Sequence, residues 1–175
     1  MSNATSKSAV LDTSTIAVPE YGNEASFFIG MRHMKKGVQV MKHILCPVDG
    51  SEPAKRAVAT AAALAQRLQA KLTLLHITQY VIGRRGVYEV STPEESEKYL
   101  AEAKVIASGE AYKDPALKTL RARDPANAIL DFVEQSDVDH IVMGAAGKGA
   151  LKTFLIGSVS SDILHKAYCP VTIVH

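Results

Sequence analysis

Cysteine is scarce in this chain, with two in 175 residues. Cys46 and Cys169 each stand directly before a proline and inside an apolar run. A disulfide framework needs more sulfur and an oxidising setting, so both are expected as buried thiols of a cytoplasmic protein. Net charge is small as well: a formal +2 argues for neither a nucleic acid nor an anionic membrane as partner. No apolar run reaches the ~18 residues that a membrane span needs. The polar opening MSNATSKSAV lacks the apolar segment of a signal peptide. The histidines at 33, 43, 76, 140, 165 and 175 show no i, i+4 pairing, and no C-x-x-C accompanies them, so the common zinc patterns are missing.

What is present is ordinary globular material, 47% apolar and 22% charged, enough for one domain that folds around its own core. The chain divides near Met41. Residues 1–40 are rich in Ser, Thr, Asn and Gly, without sustained periodicity, and ASFFIGM is their one apolar cluster. They are expected to form a flexible N-terminal extension, a disordered tail or the product of an upstream start; the alternative is a tail that docks on the domain. Residues 41–175 carry the fold.

From Met41 the pattern is regular. HILCPV, KLTLLHI, ALKTLRA, HIVMG and PVTIV are apolar runs of strand length. Between the first two, Val58, Ala61, Ala65 and Leu68 recur at helical spacing after DGSEP, with Ser51 as N-cap. A second helix opens at STPEESEKYL: Thr92 caps, Pro93 takes the first position, Glu95 closes a capping box, and Tyr99, Ala103 and Ile106 give an apolar face. A third begins at Asp124-Pro125, with Ala126, Ile129, Leu130 and Val133 as its stripe, and a fourth covers SVSSDILHKA. Alternating strands and helices with near-continuous apolar strands predict one doubly wound α/β domain: a five-stranded parallel sheet with helices on both faces.

Ligands of such sheets bind beyond the carboxyl ends of the strands, where the strand order reverses. Order 2-1-3-4-5 would place the loops DGS and RARDP at that point. Order 3-2-1-4-5 would instead pair DGS with the stretch GAAGKGALKTFLIGSVSS, Gly144 to Ser161. Glycine accumulates after the fourth strand, which favours the second order. Glycine turns backbone N–H groups toward one point and lets a ligand approach without a Cβ in the way. Gly157-Ser158 opens a helix, whose unpaired N–H groups and dipole favour an anion. Ser158 and Ser160 add hydroxyl donors, and one of Lys148 and Lys152 adds charge. The combination is a polyphosphate cradle; the plainer reading is a surface connection with glycine caps. The Walker A pattern fails because Ala150 follows Gly149, and G-x-G-x-x-G fails at Lys152.

What fits is Gly144-x2-Gly147-x9-Gly157-Ser158. This spacing resembles the nucleotide-binding motif of the universal stress protein family, G-x2-G-x9-G-[ST]. The likeness extends from Met41 to His175: ILCPVDGS resembles the family's first strand and loop, LLHI its second strand, DHIVMGAAGKGALKTFLIGSVSSDIL its signature segment and CPVTIV its closing strand. The resemblance implies a 3-2-1-4-5 sheet, ATP as ligand with Mg2+ or Mn2+ on its phosphates, and a homodimer through the fifth strand. It further implies that Pro47, Val48 and Asp49 line adenine and ribose, that Ile77 meets the base, and that Met143 lies under the nucleotide. Gly144, Ala145, Ala146, Gly147, Lys148, Gly149 and Ala150 would wrap ribose and phosphates, with Gly157, Ser158, Val159 and Ser160 receiving the phosphates. One departure stands out: the G-x-P usual after the third strand is Arg123-Asp124-Pro125 here, which either alters the backbone near the base or places a guanidinium there. His76 reads as a core histidine and Arg84-Arg85 as an exposed loop. Three functions compete: an ATP-binding regulatory protein with an unknown protein partner, a slow ATP hydrolase or phosphotransfer enzyme, and a dimeric interaction module without nucleotide. Asp49 is the one carboxylate expected at the cradle, thin equipment for hydrolysis.

Overall fold

The computed structural model describes residues 41–147 and 156–175. The expectations for residues 1–40 and for Lys148, Gly149, Ala150 and Lys152 lie outside the described residues. In chain order the elements are β1 (His43–Pro47), α1 (Glu52–Leu68), β2 (Lys71–Gly83), β3 (Gly86–Glu89), α2 (Pro93–Gly109), β4 (Ala116–Ala122), α3 (Pro125–Gln135), β5 (His140–Gly144), α4 (Ser158–Lys166) and β6 (Val171–Val174). Five parallel strands stand in the order β4-β2-β1-β5-β6, the order 3-2-1-4-5 expected for the five strands read from sequence. A sixth strand was not foreseen. β2 runs past the end of β4, and its last residues pair antiparallel with β3, Gly83 opposite Gly86. Arg84-Arg85 is therefore the exposed two-residue turn of a hairpin, not part of a loose loop.

Period-two alternation splits the core into two layers. Ile44, Cys46, Leu72, Leu74 and Val142 face α1 and α2, packing on Val58, Ala61, Ala65, Leu100 and Ala103. Leu45, Leu75, Ile141 and Met143 face the other way onto Ala126, Ile129, Val133 and Ile163. The helix starts follow local chemistry. Ser51 Oγ accepts from Ala54 N–H at 3.3 Å, Thr92 and Glu95 form the reciprocal capping box, and Asp124 accepts from Asn127 N–H. Each such cap is worth about 1 kcal/mol. Three stripes differ in detail from expectation; in α3 the buried line is Ala126, Ile129 and Val133, with Leu130 half-buried. Leu68 is 43% exposed, because α1 ends there and Gln69 turns the chain away in the left-handed region, φ 54°. The inward line of α2 is Ser96, Leu100, Ala103 and Ala107, which leaves Tyr99 and Ile106 half-buried at its margin.

The polar interior is small and mostly paired. His43 Nδ1–H donates to Ser136 O at 2.9 Å and its Nε2 meets Thr73 Oγ1 at 2.8 Å, while His140 Nε2 meets Thr172 Oγ1 at 2.8 Å. Burial holds the pKa of both rings below the usual histidine value; for His43 the hydrogen bond to Ser136 partly offsets it. Burial also raises the Cys46 thiol far above its ordinary range and pushes Cys169 up to about 11. Neither is a thiolate at neutral pH.

Candidate functional site

β1 and β5 are sheet neighbours, so the loops after them open side by side. The β1–α1 turn is held by its own side chains. Asp49 Oδ1 accepts from Ser51 N–H at 3.0 Å and from Ser51 Oγ–H at 2.6 Å. Gly50 adopts φ +77°, and a Cβ there would stand 2.5 Å from the Tyr99 ring; both facts demand glycine. Val48 is tied to β2 at both ends, its N–H to Leu75 O at 2.8 Å and its carbonyl to His76 Nδ1–H at 2.7 Å.

The β5–α4 connection begins at Gly144, where an added Cβ would meet Pro53 C at 2.7 Å and Ala54 N at 2.8 Å. The end of β5 thus lies directly on the first turn of α1. Gly147 passes close to the other loop: a Cβ on it would come 2.6 Å from Asp49 Oδ2. Ala145 N–H donates to Val174 O at 2.8 Å, and Gly157 N–H donates to Ala145 O at 2.8 Å. Ser160 Oγ–H donates to Gly144 O at 3.0 Å. Two groups expected at the phosphates, the Gly157 amide and the Ser160 hydroxyl, therefore have their protons committed within the chain. The α4 terminus still presents Ser158 and Val159, with Gly157 as an N-cap that makes no side-chain cap bond.

These loops border a cavity of about 650 Å3, within the usual ~300–1,000 Å3 of small-molecule sites. Pro47, Val48, Asp49, Ile77, Met143, Gly144, Ala146, Gly147, Gly157, Ser158, Val159 and Ser160 all line it. Ala145 is 3% exposed and contributes its two backbone bonds from behind. Ser51, His76, Gln79, Val90, Ser91, Glu95, Tyr99, Pro125 and Ile129 line it as well and were not expected there. Pro125 and Ile129 follow from the α3 stripe, whose first turn abuts the sheet end. Val90 and Ser91 come from the chain leaving β3, the strand that the sequence reading missed. Arg123 is exposed, and its carbonyl accepts from Gln79 Nε2–H at 3.2 Å. Asp49 and Glu95 are the carboxylates in the lining, and Glu95 already serves the α2 cap. Among the described residues, no group of three or more His, Cys, Asp or Glu could hold a metal ion.

Compared with known proteins, residues 41–175 match the model of the universal stress protein family. A universal stress protein of Thermus aquaticus is 38% identical over 140 residues, covering 77% of this chain and 99% of that one. Among solved structures, a universal stress protein from Lactobacillus plantarum superposes with TM-score 0.61 at 26% identity, over 79% of this chain and all of that one. A second, from Archaeoglobus fulgidus in complex with dAMP, gives TM-score 0.60 at 24% identity, over 78% of this chain and 100% of its own; that likeness speaks for the fold.

Proposed function

The chain belongs to the universal stress protein family, and from that premise we propose that it is an ATP-binding regulatory protein. The nucleoside lies between Pro47–Asp49, Ile77 and Met143, and the triphosphate lies along Gly144–Gly147 and the start of α4. One observation carries the reading most: Gly147 and Asp49 Oδ2 sit where no Cβ could stand between them, so a carboxylate suited to ribose hydroxyls meets a backbone-lined phosphate path. The first-turn amides of α4, which have no intrahelical partner, supply the anion end. Because Gly157 N–H and Ser160 Oγ–H are engaged with Ala145 and Gly144, Ser158 and Val159 do most of this work. Mg2+ or Mn2+ enters with ATP, held through the phosphates. Asp49 Oδ1 is fixed by Ser51, which suits a ribose acceptor better than a general base, so the protein acts by binding rather than by turnover. β6, the last strand of the sheet order, is the edge for a homodimer in this reading.

The test is direct. Purified protein is heat-denatured and the supernatant assayed for nucleotide, and stripped protein is titrated calorimetrically with ATP. Near-stoichiometric adenine nucleotide, or ATP binding in the micromolar range, is expected. Absence of both ends the proposal and leaves the protein as an interaction module.

A further inference from the structure

His76 is a costly residue for the place it holds. It lies on the face of β2 turned toward α2, two residues from Thr78, whose hydroxyl meets Ser96 of α2, and it is 4% exposed. Its Nδ1 faces a carbonyl, Val48 O at 2.7 Å, so the proton is on Nδ1. Its buried Nε2 has no hydrogen-bond partner among the described residues. A leucine would fill the same space without an orphaned acceptor. What histidine adds is its hold on one carbonyl, and that carbonyl belongs to the residue before Asp49. Tyr99 closes the arrangement from α2. Its ring packs edge-on to His76, with centroids 5.4 Å apart and planes at 64°, and it lies over Gly50, leaving no room for a Cβ.

We infer that His76 and Tyr99 are positioning residues for the nucleoside end of the site. They act through the Val48–Gly50 turn, which carries the Asp49 carboxylate over Gly147. The inference rests on the ATP reading above. His76 pins the peptide preceding Asp49 to β2, and Tyr99 blocks the outward movement of Gly50, the one residue in the turn with φ in the left-handed region. Released from either, the turn samples other conformers and Asp49 is in place for only a fraction of the time. The apparent affinity for the nucleoside falls by that fraction. The phosphate end is built on β5 and α4 and meets the turn through the long Ser51 Oγ–H to Ala146 O contact at 3.5 Å and the approach of Asp49 to Gly147, so it depends on the turn less.

The experiment separates the two ends. Adenosine affinity is measured by calorimetry, and tripolyphosphate affinity by competition against ATP. The variants are His76→Leu, His76→Asn, Tyr99→Ala and Tyr99→Phe, each checked by thermal unfolding. Removing one neutral hydrogen bond of about 1 kcal/mol corresponds to about fivefold in affinity. His76→Leu and Tyr99→Ala should therefore weaken adenosine by about five- to tenfold while tripolyphosphate stays within twofold. His76→Asn, with an amide N–H near the former Nδ1, and Tyr99→Phe, with the ring intact, should return adenosine binding to near the parent value. Equal loss of both ligands would mark a merely structural role and overturn the inference. Parental adenosine affinity in His76→Leu, or no recovery in His76→Asn, would overturn it too. If the parent protein binds neither ATP nor adenosine, the functional reading itself falls, and this inference with it.

Discussion

Two glycines of the same loop should respond to one added methyl group very unequally. At Gly144 an alanine Cβ would stand 2.7 Å from Pro53 C, 2.8 Å from Ala54 N and 3.0 Å from Pro53 Cβ. The first two are backbone atoms of the opening turn of α1, which is capped by Ser51 and packed on the sheet through Ala57, Val58 and Ala61, so they have no easy retreat. Overpacking of this kind costs about 1–3 kcal/mol, which for a domain of this size lowers Tm by roughly 3–15 °C. At Gly157 the nearest atoms to an added Cβ are Ala146 Cα at 3.4 Å, Ala145 O at 3.6 Å and Gly147 N at 3.7 Å, ordinary contact distances. Its backbone, φ −68° and ψ 161°, suits alanine. The lost glycine freedom of the unfolded chain favours Gly157→Ala by about 0.4–1 kcal/mol, but alanine ranks well below glycine at an N-cap, so the two nearly cancel and the variant should melt close to the parent. Calorimetric melting of the ligand-free variants reads both effects. If Gly144→Ala melts with the parent, the contact between β5 and α1 is looser than described and the close-packing argument fails. If Gly157→Ala melts well below the parent, the glycine is needed by the fold itself, and it can no longer be assigned to the ligand.

Acid should weaken the fold ahead of carboxylate titration. His43 and His140 have folded pKa values below the unfolded 6.5, chiefly through burial, so the unfolded chain binds more protons in that window. Their contribution is complete above about pH 6.5 and is lost as the pH falls below it. The urea midpoint should be lower at pH 5.5 than at pH 7.5, and a midpoint that holds or rises on acidification would contradict this. Ile173→Pro removes a donor from β6 and is expected to yield monomers by light scattering; a dimer of unchanged affinity would place the interface elsewhere.

The parts of the fold legible in the sequence are those governed by neighbouring residues. Ser51, the Thr92–Glu95 pair and Asp124 announce helix starts because capping is a contact across three residues. The buried strands β1 and β5 announce themselves as apolar runs. β3 did not, because its burial carries no signal: all four of its residues are exposed, and Ile82 opposite it is 63% exposed. Its turn also lacks the Asn-Gly type of signature. Tyr99 was assigned to the α2 core by its period, and periodicity cannot tell the centre of a stripe from a margin that leans over a neighbouring turn. In the site, Asp49 and the glycines at 144, 147 and 157, which line the cavity, were expected from the strand order, the glycine accumulation and the family-like spacing. Whether a given N–H or hydroxyl there is available was not legible, since the Gly157 amide and the Ser160 hydroxyl are satisfied by Ala145 and Gly144, partners set by tertiary packing.

Two backbone bonds tie the start of α4 to the edge of the sheet. β6 pairs with β5 in register, Gly144 beside Val174, and Val174 O then accepts the Ala145 amide. Ala145 O in turn accepts the Gly157 amide, which fixes the first residue of the α4 terminus. From the edge strand to the start of α4 there are two backbone hydrogen bonds and no flexible side chain. A second strand laid along β6 would rigidify Val174, and with it Ala145 and Gly157. A ligand that orders the α4 terminus would rigidify the same chain from the other end. If assembly at β6 and anion binding at α4 both occur as proposed, each removes conformational freedom that the other would otherwise have to remove, which couples the two positively.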